Sequence, residues 1–258
     1  MDQTVLSRLG LNFGKGTVHS SRTMMLEELS LLLAEVPDAL SKTEYIAAIV
    51  ERNCLGKLSF NTRKRTAEHL TELYTLDPHV NLFRNLLYFW NRETQGRPLL
   101  ALLCAATRDS MLRDTTPLIL RLGDGSQPPL SDMEKEIVKL YPDRFSARTL
   151  KSMAQNLRST WTHTGHLAGR VNKVRQRVAA TPGTVAFALL IGYLQGVRGM
   201  LLFETEYIAM LDCNREKALE LAEQASARGW MVMKRVGNVV EALFPQLINE
   251  EEAGWLRE

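Results

Sequence analysis

The chain has 258 residues, of which 45% are hydrophobic and 24% charged, as in an ordinary globular protein with a sizeable core. Its 32 basic and 29 acidic residues give a formal net charge of +3. Three widely spaced cysteines, Cys54, Cys104 and Cys213, exclude a disulfide framework and a CxxC-type zinc site, so we expect free thiols in a reducing cytoplasm.

The N-terminal residues lack the continuous apolar segment and the cleavage site of a secretory signal, which favours a cytoplasmic location. The segment GLNFGKGT, which begins at Gly10, is similar to a phosphate-binding loop in its glycines alone. Lys15 is followed by Gly16 rather than by Ser or Thr, and no strand precedes the segment, so we expect no nucleotide site here.

Apolar residues recur every three or four positions in the first half of the chain, which is the period of amphipathic helices. The segments with this pattern are residues 24–34, 44–50, 62–76, 82–91 and 99–112. We therefore predict an all-helical N-terminal domain at residues 1–122.

A helix-turn-helix is predicted at residues 43–76, with a second helix that begins after the N-cap Ser59. This second helix buries one apolar face, and its first turns project polar side chains where a recognition helix meets base edges and phosphates. These side chains are Asn61, Lys64 and Arg65. Arg63 lies nearer the apolar face, and an ion pair with a carboxylate such as Glu51 or Glu72 is the alternative to a DNA contact.

Glycine and proline residues crowd together in LGDGSQPPL and predict a linker at residues 123–130. The C-terminal domain then covers residues 131–258. Ser131, followed at the third position by Glu134, predicts a capping box for a helix at residues 132–141.

A stretch of sixty residues, from Arg144 to Phe203, has no Asp or Glu but nine Lys or Arg residues. The rest of the chain has 23 basic and 29 acidic residues, so the positive charge is segregated. Segregated positive charge attracts polyanions, and phosphates bound by Lys or Arg release counterions. Nucleic acid is therefore the first partner to consider, with a solvated basic face or a surface for an acidic protein as the alternative.

The helix predicted after the N-cap Ser146 has one apolar face and an opposite face without carboxylates. The residues on this opposite face are Arg148, Lys151, Gln155 and Arg158. Such a cationic stripe can lie along a phosphate backbone, whereas an ordinary surface helix usually mixes Glu with Lys. Lys173 and Arg175, in the same acid-free stretch, are further candidate DNA contacts.

An apolar segment at residues 185–203 has the length of a membrane span, but it contains Gln195, Arg198 and three glycines. Because an arginine inside a bilayer is costly, we predict a core helix that breaks near Gly196 and no contact with a membrane.

The sequence after this segment predicts a helix, a tight turn, a second helix and two strands joined at Gly237 and Asn238, which is the order of a winged helix. Lys234 and Arg235 near the tip of the hairpin are candidate peripheral phosphate contacts. Residues 204–258 carry eleven acids against six bases, so a structural or protein-binding role is favoured for this module.

Patterns for catalysis are weak. His163 and His166 have a spacing that could approach one metal ion, but no carboxylate lies nearby in the sequence. Asp132, Glu134 and Glu136 are better explained as charges near a helix start than as a nuclease site. We therefore expect no catalytic site, no metal and no cofactor.

Four stretches resemble those of a known family, and they are SSRTMMLEEL from Ser20, AIVERNCLGKLSFNTRKRTAEHL from Ala48, LLALLCAATRDSMLRD from Leu99 and FSARTLKSMAQNLRSTWTHTGHL from Phe145. The family is the BrxA family of BREX phage-exclusion systems, whose members are small helical proteins with helix-turn-helix and winged-helix modules. The resemblance is sharpest in K-x-S-x-x-T-x-K-R-x-A. It implies DNA contacts at Lys57, Ser59, Thr62, Lys64 and Arg65.

The sequence thus predicts a mainly α protein with a helix-turn-helix N-terminal half and a winged-helix-like C-terminal half with a short β-hairpin. The expected function is non-catalytic binding of double-stranded DNA within a bacterial BREX-type phage-defence system, together with other proteins of that system. A helical adaptor or scaffold that binds those proteins and a winged-helix transcription regulator are the alternatives. The DNA sequence recognised and the oligomeric state stay open.

Overall fold

The computed structural model describes residues 2–14, 16–237 and 239–256, which form a mainly helical protein with two small antiparallel β-hairpins. The helices of the first half are α1 (Gln3–Arg8), α2 (Leu26–Glu35), α3 (Lys42–Val50), α4 (Phe60–Tyr74), α5 (Asn81–Trp90), α6 (Arg97–Ala106) and α7 (Ser110–Leu120). The later elements are α8 (Leu130–Leu140), α9 (Ala147–His163), β1 (Leu167–Ala168), β2 (Val174–Arg175), α10 (Pro182–Leu194), a 3₁₀ helix (Gly199–Glu204), α11 (Glu206–Ala209), α12 (Arg215–Ala227), β3 (Val232–Val236), β4 (Val239–Leu243) and α13 (Glu250–Trp255).

Helices α2 to α5 confirm the first four predicted helical segments, with ends that differ by about two residues. The prediction of one helix at residues 99–112 is wrong, because α6 and α7 are separate helices. Asp109 is the N-cap of α7, and its carboxylate accepts a hydrogen bond from the backbone N–H of Leu112 at 3.0 Å. The Asp109 side chain satisfies an N–H group at the start of α7 in place of a backbone carbonyl, so the helix of α6 does not continue into α7.

Helix α8 begins one residue before the predicted N-cap Ser131, so the predicted capping box with Glu134 is wrong. The residue before the helix is Pro129, whose backbone is extended with φ −67° and ψ 159°. Because the proline side chain has no hydrogen-bond acceptor, Pro129 cannot cap the first N–H groups of α8.

Helix α10 confirms the predicted core helix. Nearly all of its residues are buried, and it packs against α5, α6, α11 and α12. Thr181 caps its N-terminus in a capping box with Thr184. The helix ends before Gly196, which has φ +91° and carries the chain into the turn before the 3₁₀ helix.

None of the described helices has both the length and the apolar composition that spanning a bilayer requires.

The order of α11, α12, β3 and β4 confirms the predicted helix, turn, helix and hairpin. The strands pair antiparallel from Val232 opposite Leu243 to Val236 opposite Val239. Asn238, the second residue of the predicted turn, lies outside the described residues.

A second hairpin, which the sequence analysis missed, pairs β1 with β2, with Leu167 opposite Arg175. Gly169, which follows β1, has φ +100°, and a Cβ atom on it would lie 2.4 Å from the carbonyl oxygen of Asn172. The tight turn therefore requires a glycine at this position.

The described buried residues on both sides of the predicted linker belong to one hydrophobic cluster. Phe89 of α5 and Phe187 of α10 have ring centroids 6.0 Å apart, and Asn81 donates a hydrogen bond to Glu252 at 2.8 Å. These contacts join the first half of the chain to the second, while the division into residues 1–122 and 131–258 stays a prediction.

Candidate nucleic-acid interface

The turn between α3 and α4 is held by side chains that the sequence analysis assigned to DNA. Ser59 is the N-cap of α4, and its Oγ accepts a hydrogen bond from the N–H of Thr62 at 3.2 Å and lies 2.9 Å from the Thr62 hydroxyl. Lys57 Nζ lies 2.9 Å from Glu28 Oε1, and this ion pair ties the turn to α2. Lys57, Ser59 and Thr62 thus have structural partners inside the protein.

Asn61, Lys64 and Arg65 lie exposed on the first two turns of α4, as the sequence predicts. Neither Lys64 nor Arg65 forms an ion pair or a hydrogen bond with any residue that the structure describes. Cations that form no ion pair with a described carboxylate are available to an external anion. These two cations are therefore the strongest part of the candidate interface.

Arg63 turns the other way. Its Nη1 donates a hydrogen bond to the carbonyl oxygen of Val50, the last residue of α3, at 2.7 Å, and its guanidinium lies 5.6 Å from the centroid of the Phe60 ring. The predicted alternative, an ion pair with Glu51 or Glu72, is not what holds this side chain in the described structure. Arg63 instead joins α4 to the end of α3.

The N-terminal turns of α9 carry a second pair of cations. Ser146 caps the helix as predicted, and its Oγ accepts a hydrogen bond from the N–H of Thr149 at 3.3 Å. Arg148 and Lys151 are exposed, and within the described ranges no hydrogen bond or ion pair joins either of them to another residue. The guanidinium of Arg144 lies 5.3 Å from the ring centroids of both Tyr141 and Phe145, just before the helix.

Arg158 does not extend this stripe, and its predicted outward position is wrong. The side chain is buried, and its Nη2 donates a hydrogen bond to the carbonyl oxygen of Pro128 at 3.0 Å. Burial lowers the pKa of its guanidinium, which a charge from Asp132 partly offsets. The reason is tertiary: the segment around Pro128 packs over the C-terminal half of α9, which helical periodicity alone does not reveal.

Lys173 has internal partners too. Its Nζ donates hydrogen bonds to Thr162 Oγ1 at 2.6 Å and to the carbonyl oxygen of Gly169 at 3.3 Å. Burial, and then the charge of Arg158, lower the pKa of this lysine. Lys173 therefore closes the β1–β2 hairpin against α9 in this structure rather than facing outward.

Arg175 is fully buried, so its predicted role as a surface phosphate contact is corrected. Its Nη1 and Nη2 lie 2.9 and 2.5 Å from the two carboxylate oxygens of Asp212. Arg177 Nη1 approaches the same carboxylate at 2.9 Å. Asp212 lies just beyond the stretch that has no Asp or Glu, and it thus neutralises part of the positive charge of that stretch.

Burial works against ionisation of Asp212, but the hydrogen bonds from Arg175 and from the N–H of Val178 outweigh it and lower the pKa of this carboxyl. The Asp212 carboxylate is therefore an ionised hub. It holds β2 and the residues that follow it against the turn before α12.

The β3–β4 hairpin has its charges balanced locally. Lys234 Nζ lies 3.4 Å from Glu241 Oε2, and Arg235 Nη1 lies 3.7 Å from Glu223 Oε1. These four side chains are largely exposed, so each pair contributes little to stability. Both predicted peripheral contacts therefore lie beside carboxylates that would repel phosphate.

A buried polar network that the sequence analysis missed connects the N-terminal segment to α7 and α9. His19 Nδ1 lies 2.9 Å from Asp109 Oδ2, and His19 Nε2 lies 2.8 Å from the hydroxyl oxygen of Thr160. The N–H of Met24 also donates to this hydroxyl oxygen, at 2.9 Å. His19, Asp109 and Thr160 are all buried, so the network joins the N-terminal segment to α7 and α9 inside the fold.

His166 is also internal: its Nε2 donates a hydrogen bond to the carbonyl oxygen of Met210 at 2.8 Å, and its Nδ1 lies 2.8 Å from the Thr164 hydroxyl. Burial lowers the pKa of this imidazole to about 4. Among the described residues, His, Cys, Asp and Glu form no group of three or more that could hold a metal ion.

The structure therefore reduces the predicted contact set to two exposed groups on separate helices. One is Asn61, Lys64 and Arg65 on α4, and the other is Arg148 and Lys151 on α9. A scan of protein-family models finds none that matches this sequence, and a search of curated proteins finds no match either.

Proposed function

We propose that this protein is a non-catalytic, cytoplasmic component of a bacterial BREX-type phage-defence system that binds double-stranded DNA. Exposed cations on the N-terminal turns of α4 and α9 contact the phosphates. The observation that carries the proposal is the exposure of Lys64 and Arg65, without a carboxylate partner in the described structure, on the second helix of the α3–α4 pair. A second helix in this position is the one that enters the major groove in helix-turn-helix proteins.

Phosphate contacts position a protein on DNA and supply affinity, but they carry no direct sequence information. Two cations on each of two helices match this kind of contact. Asn61, exposed beside Lys64, adds an amide that can hydrogen-bond a base edge. The predicted winged-helix module follows as α11, α12 and the β3–β4 hairpin, with Lys234 and Arg235 as peripheral contacts at most.

The assignment to a phage-defence system, with other proteins of that system as partners, rests on the resemblance to the BrxA family described above. The match from Lys57 to Ala67 covers the residues that build the start of α4. In this proposal Lys57, Ser59 and Thr62 form the support that fixes the helix, and Lys64 and Arg65 reach the DNA.

The test compares two charge reversals with a matched control. The variants are Lys64→Glu with Arg65→Glu, and Arg148→Glu with Lys151→Glu; the control, Arg215→Glu with Lys217→Glu, makes the same change in net charge on α12. Affinity for a short duplex of unrelated sequence is measured by fluorescence anisotropy at several salt concentrations. Each lost phosphate contact lowers the slope of log affinity against log salt by about 0.9.

We expect both test variants to bind more weakly and with a shallower salt dependence, while the control binds like the wild type. Circular dichroism and the melting temperature establish that each variant is folded. A folded Lys64→Glu and Arg65→Glu protein with unchanged affinity at moderate salt would overturn the proposal.

A helical adaptor is the second candidate function, and the β3–β4 hairpin favours it. Val236 and Val239 lie opposite each other near its tip and are 81% and 73% exposed, while the neighbouring charges are paired. Apolar side chains among neutralised charges suit a protein partner. A complex with a companion protein that survives high salt and all four basic substitutions, but not Val236→Asp, would favour the adaptor. Binding to a two-fold symmetric operator would instead indicate a transcription regulator.

A further inference from the structure

Two apolar side chains are exposed on either side of the N-cap Ser59. Leu58 is 104% exposed and Phe60 is 58% exposed. Single apolar residues are common on protein surfaces. Two large ones on one turn lie next to Lys64 and Arg65, which form no ion pair with a described residue, and together they form a patch that is both apolar and positively charged.

The positions on α4 place these groups together. Phe60 and Lys64 are four residues apart and therefore neighbours on one face of the helix. Asn61 and Arg65 have the same spacing on the adjoining face. The guanidinium of Arg63 lies 5.6 Å from the centroid of the Phe60 ring. An external partner that binds Lys64 therefore also meets Phe60.

The charges beside the patch decide which partner it fits. Lys64 and Arg65 have no ion pair with a described residue, so the patch complements a polyanion. A DNA major groove is lined by phosphates, and the thymine C5-methyl is the apolar group on its base edges. Two apolar side chains at the leading end of a helix in that groove would meet these methyl groups.

We infer that Leu58 and Phe60 pack against thymine methyl groups in the major groove and give the protein a preference for thymine-containing duplexes. This inference rests on the proposed function, because it requires α4 to bind DNA. These apolar contacts would let the protein discriminate between bases, which its phosphate contacts alone do not.

The experiment compares a mixed-sequence duplex with the same duplex in which deoxyuridine replaces every thymidine, which removes the methyl groups and keeps the base pairing. The proteins are the wild type, the Leu58→Ala and Phe60→Ala double variant, and a control with Leu40→Ala and Val171→Ala. Leu40 and Val171 are 75% and 80% exposed on other segments, so the control removes similar side chains elsewhere.

The wild type and the control are expected to bind the thymine duplex more tightly, by about fourfold for each methyl group that becomes buried. The Leu58→Ala and Phe60→Ala variant is expected to bind both duplexes equally. Because both side chains are exposed, this variant should melt like the wild type, and its melting temperature is measured alongside.

The inference is overturned if the wild type binds both duplexes equally, or if the double variant keeps the preference. If that double variant also loses binding to a companion protein, the patch is a protein contact instead. Failure of the proposed function looks different: the wild type then shows no binding that depends on Lys64 and Arg65, with either duplex.

Discussion

Arg175 and Asp212 form a two-point ion pair inside the protein, with both side chains at most 1% exposed. The pair joins β2 to the turn before α12. Arg177, half exposed, binds the same carboxylate from outside. Arg175 and Arg177, which belong to the stretch that the sequence assigns to a DNA surface, thus stabilise the fold instead.

Replacing Arg175 with methionine is expected to destabilise the protein by about 3–5 kcal/mol, because the substitution leaves the Asp212 carboxylate buried without its main partner. Replacing Arg177 with methionine serves as the control and should cost about 0–1 kcal/mol, since that residue is exposed. The free energy of unfolding is measured by urea denaturation. Equal and small effects of the two substitutions would show that the buried pair does not hold the fold.

His166 makes stability depend on pH between about 4 and 6.5. In the unfolded chain its imidazole binds a proton as the pH falls below about 6.5, whereas burial lowers the folded-state pKa to about 4. The unfolded state therefore binds more protons in this window, so stability decreases as the pH falls, by about 3 kcal/mol in total. Asp212, 3.9 Å away, and Arg175 are the charged groups that face it.

The measurement for this second prediction is the free energy of unfolding across that pH range for the wild type and for His166→Gln. The variant is expected to have a flatter profile, whatever its absolute stability. His163→Gln, at the exposed end of the same region, is the control. The pKa of Asp212 is lowered, so its own contribution is lost at lower pH, as the pH falls through that folded-state value.

Ser59 allows the helix cap and a DNA contact to be separated. Ser59→Ala removes the oxygen that accepts the Thr62 N–H and should cost about 1 kcal/mol of stability. Ser59→Asp keeps a capping oxygen but adds a negative charge near the proposed phosphates. We expect Ser59→Asp to melt near the wild-type temperature and to bind duplex DNA more weakly; full DNA affinity in this variant would argue that α4 does not face DNA.

Arg158 and Arg148 lie on the same helix and should respond in opposite ways. Arg158→Ala is expected to lower the melting temperature, because it removes a buried side chain that donates to the Pro128 carbonyl. Arg148→Ala should leave the melting temperature unchanged and weaken DNA binding, with a salt slope lower by about 0.9. Calorimetry and anisotropy measure the two quantities, and a loss of binding in Arg158→Ala without a loss of stability would contradict this assignment.

Local patterns were sufficient to predict the helices whose signals lie within the helix itself. The apolar period gave α2 to α5, and Ser146 gave the start of α9. The split between α6 and α7 depends on Asp109, whose carboxylate also accepts the N–H of Val18, 91 residues earlier in the chain. The cap on Leu112 is a local signal that the apolar period does not contain, whereas the contact with Val18 cannot be read from the sequence around Asp109. The β1–β2 hairpin, with two residues in each strand, is too short for an alternating pattern.

The candidate interface shows the same limit of local patterns. The exposure of Lys64, Arg65, Arg148 and Lys151 follows helical periodicity, and the structure confirms their outward position. The burial of Arg175 depends on Asp212, 37 residues later, which the charge count of the stretch did not include. A stretch without Asp or Glu therefore predicts a positive surface only where its Lys and Arg residues do not pair with an acidic residue from another part of the fold.

The burial of α10 on every side has a consequence for synthesis of the chain. This helix of 13 apolar and small residues leaves the ribosome after α5 and α6, which cover part of it, but before α12, which covers another part. Until α12 has been synthesised, one apolar face of α10 stays exposed to other nascent chains and to chaperones. Fragments that stop before residue 215 would leave that face of α10 exposed permanently, so we expect them to aggregate more readily than the 258-residue chain.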